Sequence, residues 1–71
     1  MPNDVIGQRL RKLRGVMPRS RVAKAVGISV SALTMYETGQ RVPRDPIKIK
    51  LAAFYGKSVQ DIFFDPELHR T

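Results

Sequence analysis

The chain contains no cysteine and no tryptophan, a single histidine, and only six acidic residues against thirteen lysines and arginines. Without cysteine there can be no disulfide and no thiolate metal site. His69 stands alone in a polar tail, without the partner ligands a metal needs or a neighbour to activate as general base, so no metal is expected. No nucleophile–base pair and no phosphate-binding loop is present either, and the chain is expected to be neither an enzyme nor a cofactor carrier. No apolar run approaches the length of a membrane span or a signal peptide, which sets the expectation of a cytoplasmic protein without a membrane partner. At 71 residues there is material for one domain near the lower limit of unaided folding, too small to enclose a buried active site.

What is abundant is positive charge, and it is unevenly spread. Residues 1 to 50 hold eleven basic and three acidic residues, whereas 51 to 71 hold two and three, so the overall +7 is concentrated in the first part. A basic half beside a near-neutral half suggests one surface facing a polyanion, although charge alone does not separate DNA, RNA and anionic lipid.

The stretch Arg19 to Tyr36 organises the rest. Its apolar residues Val22, Ala23, Val26, Ile28, Leu33 and Tyr36 read as two short helices, Arg19 to Val26 and Val30 to Glu37, broken by Gly27. Gly27 can adopt the left-handed conformation that ends a helix, and Ser29 can cap the next one. A preceding helix is expected over residues 4 to 14, capped by Asn3 or Asp4, with Ile6, Leu10 and Leu13 as its apolar stripe and Gly15 as its stop. Gly39 then ends the third helix, and Gln40 to Arg44 form an exposed basic loop. Asp45-Pro46 announces a fourth helix, capped by the acid, with Ile47, Leu51, Phe54 and Tyr55 inward and Ile49 partly exposed. Gly56 closes it. Ser58 with Asp61 opens a short fifth as a capping-box variant that buries Val59, Ile62 and Phe63. The domain is expected to run from 1 to 65, and 66 to 71 to form a loose tail with Leu68 as its anchor.

These blocks resemble a known family. IGQRLRKLR, RVAKAVGISVSALTMYETG, RVP and LAAFYGKSVQDIFF follow, in order, the pattern of the Cro and phage-repressor type helix-turn-helix domain, also called the Xre family, from about Ile6 to Phe64. Ala23, Gly27, the Glu37-Thr38-Gly39 turn and Gly56-Lys57-Ser58-Val59 fall at the family's positions. The resemblance implies an all-α, five-helix bundle of the lambda-repressor-like type with a central helix-turn-helix. It also implies binding to double-stranded DNA operators, usually as a homodimer that can depend on DNA to assemble, mostly to repress transcription. The chain departs from the pattern in a shorter first turn, in Pro18-Arg19 where Ser-Gln is common, and in Lys48 where many members are apolar.

Carried over by position, Val30, Ser31, Thr34 and Met35 resemble the groove-facing residues of the recognition helix. Helical phase agrees, since Leu33 and Tyr36 point inward. Hydroxyls can bond to base edges and apolar groups can touch thymine methyls, while the plainer alternative for Val30 and Met35 is packing against neighbouring helices. Arg19, Ser29, Arg41, Arg44 and Lys48 bracket that helix and are the expected phosphate contacts. With four to five phosphates per subunit, a dimer would show a log–log salt slope of roughly −7 to −9. The resemblance further implies an ion pair between Arg14 and Glu37 that joins the first and third helices, and a dimer contact near Phe63 and Phe64. The competing reading is an antitoxin-like module whose main partner is a protein and which binds DNA for autoregulation; it calls for an exposed apolar patch, for which Ile49, Phe64 and Leu68 are the candidates. RNA is the weaker ligand because no exposed aromatic platform accompanies the basic residues.

Overall fold

The structure, a computed structural model, describes the backbone of residues 2–64 and the side chains of residues 5–64. Five helices follow one another: α1 (Pro2–Arg14), α2 (Arg19–Val26), α3 (Val30–Glu37), α4 (Asp45–Tyr55) and α5 (Val59–Phe63), with no strand among the described residues. The all-α, five-helix class expected from the sequence is the one observed. The expected loose tail, with Leu68 and His69, lies outside the described residues, as does the boundary at 65.

Local chemistry accounts for most helix ends. Gly27 takes φ +83°, and its N–H and that of Ile28 both donate to the Ala23 carbonyl at 2.8 and 2.9 Å, so α2 closes within one residue. Ser29 Oγ then accepts the Ala32 N–H at 3.0 Å and opens α3. In α5 the cap is reciprocal, with Ser58 Oγ accepting the Asp61 N–H and the Asp61 carboxylate accepting the Ser58 N–H. Two starts differ from expectation. α1 reaches back to Pro2, so the Asn3 and Asp4 backbones lie within the helix rather than capping it. α4 is preceded by Arg44, which makes no side-chain cap; Asp45 and Pro46 are already helical, in the first turn where proline's missing N–H leaves no bond unmade.

The core is built from Ile6 and Leu10 of α1, Val22, Ala23 and Val26 of α2, Leu33 and Tyr36 of α3, Leu51 and Ala52 of α4, and Ile62 and Phe63 of α5. In α4 the inward face holds Ile47, Leu51 and Tyr55 as expected, with Ala52 rather than Phe54 as its fourth member. That phase leaves Phe54 at the rim, edge-on to the Tyr55 ring at 5.2 Å between centroids, and turns Lys48 toward α5. The small Ala52 takes the buried place expected for Phe54, on the helix that packs against α2. Ile49 is exposed.

Gly7 has a role its position in an amphipathic helix does not announce. A Cβ there would collide with the carbonyl oxygen of Glu37 and stand 2.8 Å from its carbonyl carbon, so α1 and α3 meet backbone to backbone at this residue. At an open helical site Gly→Ala stabilises by about 1 kcal/mol. Here Gly7→Ala is expected to destabilise by about 1–3 kcal/mol, because the obstructing atoms are backbone and cannot rotate away. The midpoint of chemical denaturation reads the sign directly; an unchanged or raised midpoint would refute the close approach.

Candidate nucleic-acid interface

The inward stripe of α3 is Leu33, Tyr36 and Glu37, all buried. Val30, Ser31, Thr34 and Met35 lie off it: Val30 and Ser31 are exposed, and Thr34 and Met35 half-buried. Neither Val30 nor Met35 is among the core residues or the partly buried apolar residues packed on them. The Thr34 hydroxyl donates to the Val30 carbonyl at 2.9 Å, which leaves its oxygen lone pairs for an outside donor. Ser29 Oγ is used as an acceptor at the cap, which leaves its hydrogen for an outside acceptor.

Beyond α3 the chain folds back on the helix end. The Gln40 and Arg41 N–H groups donate to the Met35 carbonyl at 2.9 and 3.3 Å, and Gln40 Nε2 donates to Thr38 Oγ1 at 3.0 Å. This turn and the buried Pro43 hold the basic loop, so that exposed Arg41 and Arg44 line one shallow depression with Tyr36, Val42 and Ile47. Lys48 does not join them. Its ammonium lies 3.5 Å from Asp45 Oδ1 and 5.8 and 5.6 Å from the ring centroids of Phe63 and Phe64, an attraction to both rings that holds it against α5. Lys48 thus has partners within the chain that its expected phosphate role did not include. Phe63, expected at a dimer contact, is 5 % exposed within the core, and Phe64 is the aromatic that faces outward, sharing a depression with Ile49, Val59, Asp45 and Lys48.

Behind the face sits a buried ionic cluster. Arg14 Nε and Nη2 donate to the two oxygens of Glu37 at 2.7 and 3.0 Å, and Arg14 Nη1 donates to the Met17 carbonyl at 2.8 Å. Arg19 Nε donates to Glu37 Oε1 at 2.8 Å. The Glu37 side chain has no exposure, so one carboxylate joins α1, α2 and α3. The hydrogen bond with Glu37 raises the Arg14 pKa against the opposing effect of burial. Arg19 thus has a partner the sequence did not reveal, and so does Arg9, whose Nη1 donates to the Asp61 carbonyl at 3.1 Å and ties α1 to α5.

A profile of helix-turn-helix proteins, of the Cro/C1 and Xre type, matches residues 8–62. The chain belongs to the helix-turn-helix family. Comparisons with curated proteins and with solved structures gave no significant match. Members of the family are DNA-binding transcriptional regulators, and the helix-turn-helix domain described here is of that class. None of its described helices is long and apolar enough to cross a membrane.

Near the cluster, the Tyr55 hydroxyl is buried and makes no hydrogen bond within the described residues. Burial, then the negative Glu37, pushes its pKa up to about 12. In the unfolded chain the phenol ionises near 10. Its stabilising preference for the neutral form is therefore intact below pH 10 and is lost as pH rises through 12. Tyr55→Phe is expected to flatten the fall in stability over pH 10–12 and to leave neutral-pH stability equal or higher, since it removes an unsatisfied polar group. Denaturant midpoints of both proteins across that range check it; parallel curves would count against this role.

Proposed function

We propose that this helix-turn-helix domain is a sequence-specific double-stranded DNA-binding repressor of phage or mobile-element type that occupies a two-fold operator as a homodimer. The observation that carries the reading is the outer face of α3: Val30, Ser31, Thr34 and Met35 stand off the buried stripe, the one acid of the helix is turned inward, and Arg19, Arg41, Arg44 and Ser29 flank it. Base edges meet the four α3 residues, and phosphates meet the flanking ones. Thr34, with its hydrogen used within the helix, accepts from an adenine or cytosine amino group, while Ser31 donates or accepts. Pairing through the outward Phe64 and Ile49 sets two such helices about 34–36 Å apart on successive major grooves.

Selected operators compared with scrambled DNA test this reading. Ser31→Ala and Thr34→Ala should each lower discrimination by about 1–3 kcal/mol at the base pair contacted, with affinity for random sequence nearly constant because the phosphate contacts remain. If both variants keep the full preference at every base pair, α3 is not the reading helix and the Arg41–Arg44 loop takes its place.

A further inference from the structure

Arg14 and Arg19 use the same carboxylate differently. All three nitrogens of the Arg14 guanidinium are engaged inside the chain, on Glu37 and on the Met17 carbonyl. Among the described residues Arg19 is engaged only through Nε, and its side chain remains 34 % exposed. Two guanidiniums and one carboxylate leave the cluster with a net charge of +1, and the Arg19 edge not taken up by Glu37 is the one that carries the two terminal nitrogens. That edge presents two parallel donors, the fork that matches a phosphate, while the Nε edge is held by a group that has no exposure and cannot move outward. Arg19 begins α2, whose N-terminus follows Pro18 and carries no side-chain cap.

We propose that Glu37 is a positioning residue for DNA binding: by gripping Arg19 Nε from below, it pre-orients the terminal nitrogens of Arg19 to clamp a backbone phosphate at the start of α2. The inference rests on the DNA-binding reading above and deepens it. It gives the buried carboxylate a function beyond holding helices together. It also accounts for an arginine at this position, because one planar group serves an acid on one edge and a phosphate on the other. A lysine has the charge but a single compact ammonium, which cannot sit on both.

The test compares wild type, Arg19→Ala, Arg19→Lys and, as a control at an exposed cation outside the proposed interface, Arg11→Lys, by equilibrium binding to duplex DNA across a salt series. Arg19→Ala should lower affinity roughly tenfold or more and reduce the log–log salt slope by about 2 per dimer, one phosphate per subunit. Arg19→Lys should match Arg19→Ala within about twofold despite its charge, while Arg11→Lys stays near wild type. Glu37→Gln, assayed well below its melting temperature, should lose the same part of the slope, and adding Arg19→Ala to it should change little. Should Glu37→Gln fail to fold, Arg19→Lys decides alone. Wild-type affinity and slope in Arg19→Lys, or in Arg19→Ala, overturn the positioning role while leaving DNA binding intact; absence of salt-dependent binding by the wild type overturns both.

Discussion

Glu37→Gln is expected to lower folding stability by about 3–5 kcal/mol, the range for removing one partner of a buried ion pair. The size follows from what is left behind. Glu37 is 1 % exposed and accepts three charge-assisted hydrogen bonds from two arginines. An amide of the same shape keeps one acceptor oxygen but aims an NH2 at a guanidinium, donor against donor, and leaves the half-buried Arg14 without its counter-charge. An exposed pair would contribute under about 1 kcal/mol, so the outcome separates a buried cluster from a superficial one. Thermal and denaturant unfolding of the two proteins measure it. A melting temperature equal to that of wild type would sink the assignment.

The affinity of the wild-type domain for duplex DNA should fall about a thousandfold between 50 and 200 mM salt. On the proposed reading each subunit offers Arg19, Arg41 and Arg44 to phosphates, and Lys48, which lies beside the Phe63 and Phe64 rings, is left out of the set. Six cations per dimer, each releasing about 0.9 counterion, give a log–log slope of roughly −5, shallower than the roughly −7 to −9 that about four to five phosphates per subunit would give. Arg41→Ala and Arg44→Ala should each reduce the slope by about 2 per dimer and weaken binding to all sequences alike. Fluorescence anisotropy with a labelled duplex across the salt series provides the slope. A flat dependence would remove electrostatic phosphate contact from the account.

Much of this was legible in the residues because the relevant chemistry is local. Gly27 and Ser29 bracket the single turn residue Ile28, and no distant contact is needed to read them. Ser58 and Asp61 likewise cap one another three residues apart. The outer face of α3 could be placed by helical phase once Leu33 and Tyr36 were taken as inward. Sequence reasoning went astray where neighbouring signals competed. In α4, an apolar set that includes Ile47, Ile49, Leu51, Phe54 and Tyr55 admits more than one buried face, and a cationic side chain at position 48 argues against the face that the bundle in fact buries. At Phe63-Phe64 helical phase served better, since Phe63 shares the buried side with Ile62 and Phe64 is left outside.

The sequence by itself determined the element count, the turn chemistry and the concentration of positive charge, since these depend on residues within a few positions of one another or on composition alone. Tertiary structure alone decided three things that join residues far apart in the chain. It put Gly7 against the Glu37 carbonyl, so that a helical glycine became the point where two backbones touch. It gave Glu37 to two arginines rather than one, which converts a pair into a cluster with one surplus charge. It also set Lys48 beside the rings of Phe63 and Phe64. The physical reason is common to all three: which partners a side chain meets depends on the distance and rotation between helices, and those are set by how the whole core packs rather than by the chemistry of any one segment.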